Sequence, residues 1–371
     1  MKYGMTLLAA VALFASAACS QKTVKDTYID GFFEGDLIPG AIELQIPSLG
    51  VDSTVVVKDG MFQVSLPVES KAVGSITVAD DLPVRSIPFV PDGSEYTVTL
   101  DSLDGKLRLR LGSENPEALS VKLQEVCDRL AEFAQENKAF EKAVLDTTKL
   151  SMGLADHILM AKSAEIDSRK AEYLLGILAG NGGNGLGKYA FEQAVNYLSN
   201  ASIDSVLSKN DTSLFDMEKV RGIKARNTAL EATSEGKPFV SFEVTLEDGT
   251  VTRLSEYVGR GKYTIVDFWA SWCPWCIAEV PYLKAVYRKY AGPDFNMVGV
   301  DVADTKEKAL AAIAEHGIDW PQVYSKDRVN GTYYGSRGIP LIILFGPDGT
   351  ILRRDLRSEE IEEAVATYIS L

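Results

Sequence analysis

The sequence predicts three parts: a small all-β domain over residues 25–112, a helical domain or spacer over 116–234, and an α/β layer with a mixed sheet over 237–371. Three observations carry this. Short β-rich runs alternate with turns up to Gly112, apolar residues recur at helical spacing from Pro116 to about Thr233, and buried-type strands then alternate with helical patterns. With 371 residues, 46% of them hydrophobic and 24% charged, the chain can bury more than one core.

A leader precedes these parts. Met1 to Gly4 holds one lysine, Met5 to Ala18 is apolar and rich in Leu and Ala, and small residues run up to Cys19. That reads as a secretory signal over 1–19, shorter than the roughly 20 residues a membrane-spanning helix needs. Ser16-Ala17-Ala18-Cys19 resembles a bacterial lipobox, in which the cysteine becomes the lipidated first residue of the mature protein. Ser16 departs from it, since the motif usually has Leu there, and an ordinary signal peptide with an incidental cysteine is the alternative. The expectation is an exported, periplasm-facing lipoprotein of the cell envelope, held at the membrane through Cys19. Disulfides form and persist in such a compartment.

The β domain rests on runs such as Ala41 to Ile46, Thr54 to Val57, and Met61 to Val64 after Asp59-Gly60. Further runs lie at Gly74 to Val78, Ser86 to Val90, Tyr96 to Leu100 and Leu107 to Leu111, which reads as an antiparallel sandwich or barrel. No catalytic constellation falls within them. In the helical segment Leu119, Leu123, Val126, Leu130 and Phe133 mark an amphipathic helix with Pro116 near its first turn. Gly180 to Gly187 is expected to be a loop, because so many glycines cost a helix about 1 kcal/mol each. It lacks the Gly-Lys-Ser/Thr ending of a phosphate loop, so a helix connector is the reading. Cys127 lies on the apolar stripe as a small hydrophobe, against the alternative of a regulatory thiol. The segment serves as spacer, packing domain or dimerisation surface, and a homodimer is compatible with it.

The C-terminal part opens after Ser234-Glu235-Gly236-Lys237-Pro238 with a hairpin, Phe242 to Leu246 and Val251 to Leu254. Tyr263 to Trp269 is a buried-type strand leading into a helix from Pro274 to about Tyr290. A strand at Phe295 to Val302, a helix from about Thr305 to Glu315, strands at Leu341 to Phe345 and Thr350 to Arg354, and a helix from Ser358 complete a βαβα–ββα order.

Composition narrows the chemistry. Thirty-eight basic against 52 acidic side chains give a net charge of −14, which repels nucleic acid, so no such partner is expected. Only His157 and His316 are present, and apart from Cys19 the cysteines are Cys127, Cys273 and Cys276. A disulfide scaffold, a metal site and a Cys/His catalytic arrangement all lack material. Cys273-Pro274-Trp275-Cys276 sits where a strand meets a helix, and Cα atoms at i,i+3 lie about 5 to 6 Å apart, within disulfide reach. The helix N-terminus favours thiolate at Cys273, and Pro274 at the first helical position costs no hydrogen bond there. Half a zinc site is the rival, incomplete without a second Cys or His pair.

The run Ile265 to Cys276 resembles the thioredoxin superfamily, and Gly338-Ile339-Pro340 resembles the stretch in which that family has a cis proline facing its dithiol. The hairpin, Glu279-Val280-Pro281 and the insert around Ile318 to Pro321 are similar to the TlpA and ResA branch. The order of parts resembles lipoproteins of the Bacteroidetes type, with a small β domain ahead of a thioredoxin-like domain. This resemblance implies a thioredoxin-like fold, a nucleophilic Cys273, a resolving Cys276 and substrates docking as an added strand along Ile339 and Pro340. It implies a redox-active Cys273–Cys276 disulfide as the only redox group, without a separate cofactor. Asp267 matches the buried acid behind the resolving cysteine. Burial would raise its pKa and let it take the Cys276 proton, the alternative being a solvated carboxylate at a strand end. Glu279 matches an acid that tunes the pair, or else lies on a solvated helix face. Trp269 is expected in the core, whereas Trp272, Pro274 and an exposed Trp275 are expected to meet substrate.

The expected activity is thiol–disulfide exchange on exported proteins, with a membrane electron donor and substrates such as apocytochrome c, another lipoprotein or a general pool. Pro274 standing first and Trp275 second departs from many reducing relatives and is closer to glutaredoxins and the oxidant DsbA. Asp267 and the TlpA-like features nevertheless make a reductase the expectation, with an oxidase or isomerase the alternative. A peroxide reductase lacks its Thr-x-x-Cys pattern, and a binding lipoprotein with a secondary dithiol is a non-enzymatic rival.

Overall fold

The computed structural model describes residues 26–34, 38–79, 86–103, 106–146, 152–325 and 327–369. The leader and Cys19 lie outside the described residues. The chain divides into two compact units, one of residues up to 136 with 166–198 and 202–217, the other of 137–165, 199–201 and 218–371. The helical segment thus does not cluster as a body of its own.

Strict alternation builds the first unit. In β2 (Ala41–Ile46) the side chains of Ile42, Leu44 and Ile46 are buried while Glu43 and Gln45 point outward, the period of a half-solvated strand. Its companions are β1 (Asp26–Phe32), β3 (Val51–Val56), β4 (Met61–Pro67), β5 (Gly74–Val78), β6 (Ile87–Phe89), β7 (Glu95–Leu103) and β8 (Lys106–Gly112). They form two four-stranded sheets, β4-β1-β7-β8 and β3-β2-β5-β6. Ile29, Leu44, Leu66, Ile76, Phe89 and Val98 lie in their common core, as in a sandwich. The β1–β7 pairing is parallel and the rest antiparallel, a detail the alternation does not disclose.

Among the described residues five α-helices follow: α1 (Leu119–Leu145), α2 (Met152–Asn181), α3 (Gly185–Ala194), α4 (Asn200–Leu207) and α5 (Met217–Ala232). No described helix is long and apolar enough to cross a membrane. The expected glycine loop shrinks to residues 182–184. Asn184 caps α3 by accepting from the Gly187 N–H at 3.1 Å, and the Gly185 N–H donates to the Ser70 carbonyl at 2.7 Å. A Cβ at Gly185 or Gly187 would run into the carbonyl oxygens of Ala72 or Asn181. Close packing therefore keeps these glycines in a helix despite their entropic cost. Cys127 is half-buried, its sulfur 3.5 Å from the Tyr189 hydroxyl.

The second unit carries a seven-stranded mixed sheet of order β10-β9-β13-β12-β11-β14-β15. Its strands are β9 (Glu243–Thr245), β10 (Val251–Arg253), β11 (Tyr263–Trp269), β12 (Phe295–Asp301), β13 (Gln322–Tyr324), β14 (Leu341–Phe345) and β15 (Ile351–Arg353). β11, β12 and β13 run parallel, and their neighbours antiparallel. Helices α6 (Pro274–Tyr290), α7 (Lys306–His316), α8 (Val329–Tyr334) and α9 (Glu359–Tyr368) complete it. One face packs Ile265 and Trp269 against Cys276 and Leu283 of α6, Ala312 of α7 and Ile361 of α9. The other packs Val266 and Phe268 against Leu254, Val329 and Tyr334. Covering both faces is why β11 and β14 read as continuous apolar runs. The predicted strand–helix order holds with two additions, β13 and α8.

Candidate active site

Cys273 is the residue before the first turn of α6, with φ −91° and ψ 104°, and the backbone N–H of Cys276 points at its sulfur across 3.2 Å. Pro274 fills the first helical position, where an N–H would find no partner. The two sulfurs lie at disulfide distance with the Cα atoms 5.3 Å apart. Both are almost inaccessible, Cys273 at 4% and Cys276 at 1% relative exposure. The loop that delivers Cys273 is tied to the end of β12. Asp304 accepts from the Ser271 N–H at 2.5 Å and its hydroxyl at 2.9 Å, while Asp301 accepts from the N–H groups of Ala303 and Asp304. Burial pushes the Asp301 carboxyl up to about 7.

The Ile339–Pro340 peptide is cis, and the Ile339 carbonyl oxygen lies 3.6 Å from the Cys273 sulfur. Trp275, Ile339 and Pro340 line one groove. Pro274 and Trp272 face solvent, Trp272 at 58% exposure. Trp275 corrects an expectation: it is half-buried rather than exposed, packed against the apolar cluster that α6 shares with the sheet. Trp269 is in the core, its indole N–H donating to Gln322 Oε1 at 3.0 Å.

Alternation along β11 places Asp267 on the face of Ile265 and Trp269, the face that α6 and both cysteines cover. It pairs with Gly299 and Ile342 in the middle of the sheet, so a solvated strand end is ruled out. Burial, reinforced by the Glu279 charge and opposed by Arg357, pushes its carboxyl up to about 8. Oδ1 has no hydrogen-bond partner among the described residues. Glu279 is also buried, at 3% exposure, and is not on a solvated helix face. Burial raises its carboxyl while the Ser358 N–H, 2.6 Å from Oε2, works the other way. Ser358 makes that contact from a positive φ of 47°, backbone that only close surroundings maintain.

Arg357 is the residue sequence reasoning missed. At 5% exposure it donates through Nη2 to the Pro340 carbonyl at 2.8 Å, through Nη1 to the Leu356 carbonyl at 2.8 Å, and through Nε to Asp156 of α2 at 2.7 Å. Asp156 is 201 positions away, so no local pattern announces the pair. One buried guanidinium thus fixes the cis-proline loop and offsets the negative charge of two buried acids.

Residues 236–354 match the AhpC/TSA family. The thiol-disulfide oxidoreductase ResA of Bacillus thuringiensis subsp. konkukian is 25% identical over 142 residues, 38% of this chain and 80% of that protein. ResA of Bacillus subtilis is 27% identical over 123 residues, 33% of this chain and 68% of that protein. Among solved structures, a thiol:disulfide interchange protein from a Bacteroides species is 30% identical with a TM-score of 0.35, covering 37% of this chain and 91% of that one. The Cys-x-x-Cys pair at a strand–helix junction, opposite a cis proline, sits within the matched stretch. Residues 236–354 thus form a thioredoxin-like domain of the AhpC/TSA kind, and the chain is a ResA- and TlpA-like thiol–disulfide oxidoreductase.

Proposed function

We propose that the protein reduces disulfides in exported proteins, using Cys273 and Cys276 as its only redox group and drawing electrons from a membrane donor. Lipid attached at Cys19 holds it to the cell envelope, with cytochrome c biogenesis as one setting. The observation that supports this best is Asp267, a buried acid with its carboxyl pushed up to about 8, on the sheet face that the dithiol covers.

Exchange proceeds in two balanced displacements. The Cys273 thiolate attacks one sulfur of a substrate disulfide, forms a mixed disulfide and expels the other sulfur as thiolate. Cys276 then gives up its proton and attacks Cys273 Sγ. The intramolecular disulfide closes, the second substrate thiol leaves, and two electrons have passed to the substrate. The N–H of Cys276 aimed at Cys273 favours negative charge on that sulfur, which is what the attacking step needs. An acid of pKa about 8 is well matched to a thiol of roughly 8.5, so Asp267 in its ionised form takes the Cys276 proton at little cost and is left neutral. Trp272, Pro274, Trp275, Ile339 and Pro340 form the surface offered to the substrate, and Glu279 tunes Asp267.

The test of direction is the reduction potential of the pair. A value near or below about −270 mV is expected for a reductase, and one above about −180 mV makes the protein an oxidant or isomerase. That second reading is favoured by Pro274 preceding Trp275, which leaves Cys276 without the adjoining proline of many reducing relatives. A Cys276→Ser variant should trap exported proteins as mixed disulfides, and a folded variant that traps nothing in its native envelope removes the exchange reading.

A further inference from the structure

Among the described residues Arg357 is the one buried cation, against three buried acids, Asp267, Glu279 and Asp301. It stands just beyond the family-matched stretch and reaches back into it, since Nη2 donates to the Pro340 carbonyl at 2.8 Å. Nε donates to Asp156 of α2 at 2.7 Å, the two side chains being only 6% and 16% exposed, and the Met160 sulfur of the same helix lies 4.0 Å from Nη2. With Nη1 on the Leu356 carbonyl, all three nitrogens of the guanidinium are engaged, and the group cannot turn or withdraw without leaving a polar atom dry. The backbone of α5 backs the same loop: at Gly335, φ is +66°, and a Cβ would strike the Leu230 nitrogen. The loop so held puts the Ile339 carbonyl oxygen 3.6 Å from the Cys273 sulfur.

Asp267 Oδ1 meets no hydrogen-bond donor among the described residues, so the charges around the carboxyl weigh heavily in whether it ionises. Two bear on it: Glu279, from α6, pushes it further up, and Arg357, from the turn before α9, pulls it down. Asp156 bears in turn on Glu279, and farther out His157 of α2 faces Glu360 of α9 across 3.8 Å. Without a cation near, a carboxyl in a dry site beside a second acid climbs to or past the roughly 8.5 of a thiol and no longer accepts its proton. The guanidinium keeps the carboxylate form within reach.

We propose that Arg357 is a positioning residue for closure of the Cys273–Cys276 disulfide: anchored on Asp156, it holds the Pro340 loop against Cys273 and, from the same place, lends its positive charge to the Asp267 carboxylate. In that step the Cys276 proton passes to the Asp267 carboxylate and Cys276 Sγ bonds to Cys273 Sγ. The bond from Cys273 to the substrate sulfur breaks, its electron pair leaving on the substrate. A helix that lies outside the family-matched stretch thereby helps to set the rate of exchange. This inference rests on the exchange reading and deepens it by adding a residue to its second step.

The test uses the reduced full-length chain and an excess of a small aromatic disulfide whose released thiolate absorbs visible light. The first equivalent of thiolate reports attack by Cys273, and the second reports closure. In the wild type, closure should quicken with pH about a midpoint set by Asp267. In the Arg357→Met/Asp156→Leu variant, where neither charge is left without its partner, the midpoint should move up by about one unit, making closure about tenfold slower at pH 7 and equal at high pH. Arg357→Gln, which keeps a donor for the Pro340 carbonyl, should shift it likewise and serves if the double variant does not fold. Arg357→Lys keeps the charge but not the planar fork, and should bring the midpoint to within about half a unit of the wild type. An unmoved midpoint in the charge-removing variants, a slowing by one factor at every pH, or a Lys variant that shifts as far as they do overturns the proposal. Each of these leaves the exchange reading standing, provided the wild type releases its second equivalent. A wild type that never releases it removes the exchange reading and this one with it.

Discussion

Asp267→Asn is the most direct probe of the buried acid. The carboxyl is pushed up to about 8, against roughly 3.9 for an ordinary aspartate. Between those values the folded protein keeps the proton and the unfolded chain has lost it, so the folded state binds more protons and stability must fall as pH rises. The Asp267 contribution is intact below about pH 4 and exhausted above about pH 8, a span worth roughly 5 kcal/mol at 1.36 kcal/mol per unit. Asparagine has the same shape and no proton to lose. The variant should therefore gain on the wild type by about 1 kcal/mol for each pH unit from 5 to 8. Glu279 and Asp301, also raised by burial, slope the same way but remain in both proteins. Denaturant unfolding of the oxidised chains at several pH values measures the difference. Tryptophan fluorescence suits it, because Trp269, Trp272, Trp275 and Trp320 all lie in the second unit. The same variant should slow closure of the Cys273–Cys276 disulfide about a hundredfold, having lost its proton acceptor. Parallel stability profiles for variant and wild type would refute a buried neutral Asp267.

Three further outcomes follow from the contacts around it. Arg357→Met should cost about 3–5 kcal/mol by leaving Asp156 charged and unpaired, and adding Asp156→Leu should restore much of that, as thermal unfolding of the single and double variants will show. Glu279→Gln keeps an acceptor for the Ser358 N–H but removes a charge that raises Asp267, so the pH midpoint of disulfide closure should move down by up to about one unit. An unmoved midpoint would mean that the two carboxyls do not interact. Gly335→Ala forces a side chain into left-handed backbone and against α5, and should destabilise the second unit by about 1–3 kcal/mol in denaturant titrations, whereas the exposed Gly338 should tolerate Ala.

Where periodicity or continuity is strong, sequence and structure coincide. α6 spans Pro274–Tyr290 as expected, because a capping cysteine, a proline at its first position and an apolar stripe all agree. The limits of β2, β5 and β14 also match, since burial on one face or both fixes where a strand can start and stop. β13 and α8 were not legible: three and six residues carry too little pattern, and β13 exists through its ladders to β12 and β9. The dithiol and Asp267 stand on one continuous motif and Pro340 on a second short one, so all could be read from the sequence. Arg357, Asp156 and Ser358 are joined only by the folded chain, and the sequence around each is that of an ordinary loop or helix surface. For Glu279 the sequence supports a tuning acid and a solvated helix face equally, and only the folded chain brings the Ser358 N–H to it.

The contact at Gly335 ties the redox domain to sequence that precedes its family-matched stretch. A gene fragment beginning at Lys237 would encode both cysteines, the acid and the cis proline, yet discard the helix that rests on the loop before Pro340. The boundary of the sequence match is therefore not the boundary of the packed unit, which takes in residues 218–235 as well.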